Sequence, residues 1–279
     1  MTGVERAIVF GGPGQQRVGV LHEAAASGAG RGVVIVVGGP QYRVGSHRQF
    51  VLLARDLAAA GIPVLRFDHA GIGDSDGEPA GFDGIDADLR TAVDALLHHA
   101  PQLRRACLIG LCDGASAAVI YAPRDERVDT LVLLNPWVRT DGTLAQAYLD
   151  NYYVRRLRNP AFWRKMLTSP LSLWRALTGY RDTVRASRGT DAATAPTYLD
   201  RMLGGARDFR GRVLVILSGA DTVAAEFDGL LRRHAAWRKA YSRGGISIVR
   251  LPTANHTFSR REWRDEVARE AAGFLRNGA

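Results

Sequence analysis

A chain of 279 residues with 46% hydrophobic content is long enough for one large α/β domain with a substantial core. No run approaches the roughly 18 uninterrupted apolar residues that cross a bilayer, and Met1-Thr2-Gly3-Val4-Glu5-Arg6 lacks a basic stretch leading into an apolar one, so neither a membrane span nor a secretory signal is expected. The formal net charge of +9 is almost all arginine, with Lys165 and Lys239 the only lysines; no basic block alternates with aromatics, which speaks against nucleic acid and leaves an acidic protein partner, an anionic substrate or a solvated surface.

Glu5 to Phe10 and Arg17 to Ala24 alternate around Gly11-Gly12-Pro13-Gly14 and read as an opening hairpin. Gly32 to Pro40 is a β-branched run too apolar for a one-sided strand, so it belongs in the middle of a mostly parallel sheet. Ser46 to Ala60 has helical periodicity, with Ser46 as the expected N-cap and Gly61 as the stop. Ile62 to Asp68 is the next strand, followed by a glycine-rich turn through Gly77 and a long amphipathic helix from Phe82 to Ala100.

Ala106-Cys107-Leu108-Ile109 then runs into Gly110-Leu111-Cys112-Asp113-Gly114 and a helix-forming stretch, Ala115 to Tyr121. Strand, sharp turn and helix is the setting of the nucleophile elbow G-x-S-x-G, here with cysteine in place of serine. The flanking glycines suit a reversal that leaves no room for side chains, and a thiol at the amino end of a helix ionises more readily than a free one. The plainer alternative is a small buried hydrophobe, which is what most free cysteines are. Cys107 and Cys112, five residues apart, offer neither a disulfide framework nor a metal site, and a reducing cytoplasm is the natural setting.

Val128 to Leu134 is another strand, closed by Asn135-Pro136-Trp137. From about Val138 to Phe209 the strand rhythm stops and short helical stretches rich in Arg, Tyr, Trp and Leu take over. A span that long between strands needs structure of its own. The expected organisation is therefore an α/β core from 1–137 and 210–279, with 138–209 as an inserted helical lid. The sheet resumes at Arg212 to Asp221, followed by a helix from Ala224 to Tyr241, a strand from Ile246 to Leu251, a loop through Phe258 and a closing helix from Arg261 to Leu275. Repeated β–α units make a doubly wound, mostly parallel sheet the expected fold.

Cys112, Asp221 and His256 follow one another in the order nucleophile, acid, histidine, each just after an expected strand, where such sheets gather their ligands. His256 can take the thiol proton and later protonate a leaving group, while Asp221 fixes its tautomer. Glu226 and Asp228 are less well placed substitutes, inside the following helix. Acyl transfer also needs donors for a developing oxyanion. The backbone N–H of Asp113 is one candidate; Pro40 has no N–H, so Gln41 is the second, with Gly39 next. Gly39, Tyr42, Trp137 and Tyr153 are candidates for the substrate pocket.

Together, VVGGPQYRVGSHRQF (Val36 to Phe50), VLRFDHAGIGDSDG (Val64 to Gly77), GLCDGASAAVIYA (Gly110 to Ala122), LLNPWVRT (Leu133 to Thr140) and Ala254 to Phe258 resemble the α/β-hydrolase superfamily. Within it they resemble a cysteine-nucleophile branch, the exosortase A system-associated hydrolases. The resemblance implies the α/β-hydrolase fold, a triad of Cys112, His256 and Asp221, and no cofactor. At His69-Ala70 the chain departs from the superfamily's usual aromatic or small residue followed by arginine, so no role carries over there. The expected activity is a cysteine acyl hydrolase (esterase or thioesterase) acting on a small or carrier-bound acyl substrate, with an acidic carrier protein as a candidate partner. Acyl transfer, cyclisation or ester elimination would use the same covalent logic. A non-catalytic binding or accessory protein on the same fold is the alternative of a different class.

Overall fold

Val33, Val34, Ile35 and Val36 are wholly excluded from solvent, as the sequence pattern of that run requires of a central strand. A computed structural model, which describes residues 4–24, 30–39, 41–139 and 197–277, places them in an eight-stranded sheet. Its strands are β1 (Glu5–Phe10), β2 (Arg17–His22), β3 (Arg31–Val36), β4 (Val64–Phe67), β5 (Arg105–Leu111), β6 (Val128–Leu134), β7 (Arg212–Ser218) and β8 (Ile246–Leu251). Their spatial order is β1-β2-β4-β3-β5-β6-β7-β8. β1 and β2 form the expected antiparallel hairpin, β2 runs antiparallel to β4, and every pairing from β4 to β8 is parallel.

Side chains alternate between the two faces along each strand, and helices cover both. On one face α1 (Gln49–Ala59) and α7 (Arg261–Arg276) bury Phe50, Leu57, Ala271 and Leu275 against Val33, Ile35, Ile109 and Ile216. On the other, α2 (Asp86–His99), α3 (Asp113–Tyr121), α4 (Tyr198–Asp208), α5 (Thr222–Arg233) and α6 (Ala235–Ala240) cover Val34, Leu108, Leu131 and Val215 with Leu89, Val93, Val119, Met202 and Phe227. Each of the larger side chains so buried contributes about 1.5–3 kcal/mol. The result is the α/β-hydrolase architecture. No helix among the described residues is long and apolar enough to cross a membrane.

Two local expectations change. Ser46 does not cap α1: a short 3-10 turn, Ser46–Arg48, precedes the helix, and the residue before Gln49 is Arg48 in a left-handed conformation with no side-chain cap. The Ser46 N–H and hydroxyl donate instead to Gln41 Oε1, at 3.1 and 3.3 Å, so a carboxamide five residues back wins the competition. The single helix expected over Ala224 to Tyr241 is two, because His234 turns to an extended conformation (φ −107°, ψ 113°) between α5 and α6. The lid expected over 138–209 falls largely outside the described residues; within it, α4 packs on α3, where Gly205 lets the backbones approach.

Candidate active site

β5 ends where the chain must reverse into α3, and Cys112 at the corner takes φ 60° and ψ −126°, a conformation that side-chain-bearing residues rarely adopt. The reversal needs its glycines: a Cβ on Gly110 would lie 2.4 Å from the Gly114 carbonyl oxygen, and one on Gly114 would lie 2.5 Å from that of Val36. The Cys112 N–H donates to Leu134 O at 2.9 Å, and its carbonyl accepts the Trp137 N–H at 3.1 Å. The elbow is thus hydrogen-bonded to the tip of β6 and to the loop beyond it. Cys112 itself is partly exposed.

Asp221 follows β7 and starts α5, where its carboxylate accepts the N–H groups of Val223 and Ala224, each at 3.2 Å. The same carboxylate reaches back to His256, with Oδ2 2.8 Å from Nδ1. That hydrogen bond first, and the neighbouring Cys112 second, raise the imidazole pKa from 6.5 to about 10. Cys112 and His256 thus border one cavity, with the Asp221 carboxylate behind the ring. Glu226, weighed as a substitute acid, is fully buried elsewhere: its Oε1 takes Arg139 Nε and Nη2 at 2.9 and 2.7 Å.

The loop carrying His256 is held by two residues that the sequence alone does not single out. Asn135 Nδ2 donates to the His256 carbonyl at 3.0 Å and to Ser218 Oγ at 2.9 Å, while Asn135 Oδ1 accepts the Ser218 N–H at 2.8 Å. Ser218 Oγ donates in turn to Asn255 O at 2.9 Å. Asn135 sits at φ 45°, where asparagine is tolerated better than most side chains. The histidine loop is therefore fastened to the tips of β6 and β7 through buried hydrogen bonds.

A cavity of about 140 Å³ opens above the elbow. Cys112, Asp113 and His256 line it together with Gly39, Gln41, Phe50 and Trp137. Of the candidate oxyanion donors, the Asp113 N–H belongs to the first turn of α3, where amides lack helical acceptors. The Gly39 N–H is already given to Asp113 Oδ2 at 2.9 Å. Gln41 reaches the cavity wall, its carboxamide oxygen anchored by Ser46. Tyr42 stands apart from that wall, 49% exposed, with the Arg43 guanidinium 5.9 Å from its ring centroid. The Trp137 ring lies 4.8 Å from the Arg139 guanidinium, which joins this wall to α5 through Glu226. Tyr153 lies outside the described residues. Among those described, no three His, Cys, Asp or Glu side chains are grouped to hold a metal ion.

The family described as serine aminopeptidase, S33, matches residues 28–256. No curated protein matches. Among solved structures, an esterase from Pyrococcus furiosus is 16% identical with a TM-score of 0.67, covering 99% of this chain and 91% of that one. A dienelactone hydrolase from Anabaena variabilis is 16% identical (TM-score 0.62, 99% of each chain). An alpha-beta serine hydrolase homologue from Coxiella burnetii is 15% identical (TM-score 0.60, 100% of this chain and 99% of that one). At these identities the likeness is one of fold.

Proposed function

The chain belongs to the serine aminopeptidase (S33) family of α/β-hydrolases, and from that premise we propose that it is a cysteine acyl hydrolase acting on ester or thioester bonds. The observation that carries this reading is the position of His256, whose Nδ1 lies 2.8 Å from Asp221 Oδ2 and whose side chain lines one cavity with Cys112. Cys112 gives its proton to His256 as Sγ attacks the acyl carbon, and the carbonyl π pair moves onto oxygen, where the backbone N–H groups of Asp113 and Gln41 receive it. The intermediate collapses to an acyl-cysteine as the leaving group takes a proton from His256. Water then attacks the acyl carbon, giving a proton to His256; the C–S bond breaks, His256 returns that proton to Cys112 Sγ, and the acid leaves.

With Cys112 in place of serine, thioesters are the favoured class, because attack exchanges one thioester for another at little thermodynamic cost. The acyl-cysteine stays as activated as the substrate, which keeps transfer to an alcohol or amine, cyclisation and ester elimination within reach of the same triad. In this reading the chain sides with the cysteine branch resembled by exosortase A system-associated hydrolases and works in the cytoplasm. The net basic charge of residues 138–209 suits an acidic carrier of the acyl group.

Iodoacetamide labelling at pH 7 tests the proposal. Cys112 labels rapidly in the native protein and slowly in His256→Ala; equal rates in the two would return Cys112 to the status of an inert thiol on a binding protein. An acyl thioester offered with and without an alcohol then separates the outcomes by product mass: free acid in both cases means hydrolysis, and a new ester means transfer.

A further inference from the structure

The carboxylate next to the nucleophile is engaged entirely by backbone. Asp113 Oδ2 accepts the Gly39 N–H at 2.9 Å, and Oδ1 accepts the Gly114 N–H at 3.0 Å. One side chain thereby ties the loop after β3 to the first turn of α3, the two stretches of backbone that border the cavity beside Cys112. The fit is close. A Cβ on Gly38 would lie 2.1 Å from Asp113 Oδ1 and 2.7 Å from Leu111 O, so glycine at 38 and aspartate at 113 need each other. From the other flank the buried His69 ring sets Nε2 3.0 Å from Val37 O. The peptides on either side of Gly38 are both held.

A carboxylate is an electrostatically poor neighbour for the chemistry proposed above. It disfavours negative charge developing in the cavity beside it. Its two charge-assisted hydrogen bonds offset part of that cost, and they point to what it supplies, which is backbone geometry. We propose that Asp113 is a positioning residue for the carbonyl step: by consuming the Gly39 N–H it locks the loop after β3, leaving the Gln41 and Asp113 N–H groups to receive the oxyanion. This rests on the acyl-transfer reading and sharpens it, because thiol activation and oxyanion stabilisation become separable, the first at His256 and Asp221, the second at Asp113.

Two reactions of Cys112 with small probes divide the roles. Alkylation by iodoacetamide displaces iodide and develops no oxyanion; acylation by p-nitrophenyl acetate does. In Asp113→Ala, acylation falls about 100-fold, the scale of losing one oxyanion donor, while alkylation holds or rises because a negative charge beside the sulfur has gone. Asp113→Asn keeps one acceptor but turns an NH2 toward the other N–H, so its acylation falls roughly tenfold; it decides the matter should the alanine variant not fold. Acylation and alkylation falling together, or acylation unchanged, overturns the proposal. A native protein that alkylates independently of His256 and takes no acetyl group sinks the acyl-transfer reading first, and this inference with it.

Discussion

The two ends of the parallel strands both carry a cavity lined by charged and polar groups, and the larger lies opposite the candidate triad. At the amino-terminal edge about 430 Å³ lies between the starts of β5, β6 and β7, against about 140 Å³ above Cys112. Yet several of the charges at the lower edge are paired. Arg31 makes two hydrogen bonds to Asp129 at 2.7 and 2.8 Å, and Asp125 takes hydrogen bonds from Tyr121 and Arg127. The upper edge holds the strained backbone, Cys112 and Asn135, and a histidine bonded to a carboxylate that shares its cavity with a thiol. Volume alone does not pick out a candidate site; backbone strain and a histidine held by a carboxylate are the better guides.

The two cysteines sharpen the contrast most, since one strand carries both environments. Cys107 is fully buried in the middle of β5, where burial pushes its thiol pKa upward. Cys107→Ala should leave alkylation and ester turnover within about twofold, whereas Cys112→Ala should abolish labelling and cut turnover by about 10⁴-fold or more, the scale on which triad members act. Mass spectrometry of the labelled peptide reads both. Label appearing on Cys107 would erase the distinction between the strand's middle and its tip.

Asp221→Asn tests the upper edge next. The folded pKa of His256 is raised from 6.5 to about 10, so its ion-pair contribution is complete below pH 6.5 and is lost as pH rises through about 10. Acylation that needs the imidazolium as acid should therefore fall on an alkaline limb near pH 10. In Asp221→Asn that limb should move to lower pH and kcat should drop about 10³–10⁴-fold, as a misoriented tautomer does elsewhere. A limb that stays put would mean that Asp221 only caps α5.

The chemistry of this edge was readable in the sequence to the extent that it lay in single turns. Cys112, Asp221 and His256 announce themselves because each follows an apolar run, and β6 and β8 match their sequence patterns to the residue. Asn135 and Ser218 do not, because their bonds join three segments distant in the chain, and nothing within any one of them records the others. Ser46 misleads because its pattern fits a cap while Gln41 offers a closer acceptor. The break at His234 is hidden by apolar periodicity that continues through Trp237, Ala240 and Tyr241, all buried on the same cluster as Phe227. The Asp113 carboxylate reads as a helix-start residue until its bond to Gly39, seventy-four positions earlier, is seen.

The smallest effect is expected at the lower edge, and it tests whether the edges are independent. α3 spans both: its first turn follows Cys112, and its last residue, Tyr121, gives its hydroxyl to Asp125 at 2.6 Å. Burial opposes ionisation of Asp125, but hydrogen bonds from Arg127 and Tyr121 hold its pKa at about 2, below the usual 3.8. That stabilisation is present above pH 3.8 and is lost as pH falls toward 2. Tyr121→Phe should cost about 1 kcal/mol in urea unfolding at pH 7, since one buried hydrogen bond goes while Arg127 remains, and the cost should shrink in acid. Alkylation of Cys112 should not change, because the helix is anchored at its other end by the elbow's own bonds to Leu134 and Trp137. If the labelling rate fell along with stability, the far end of α3 would be helping to hold the strained corner, and the lower edge would belong to the site after all.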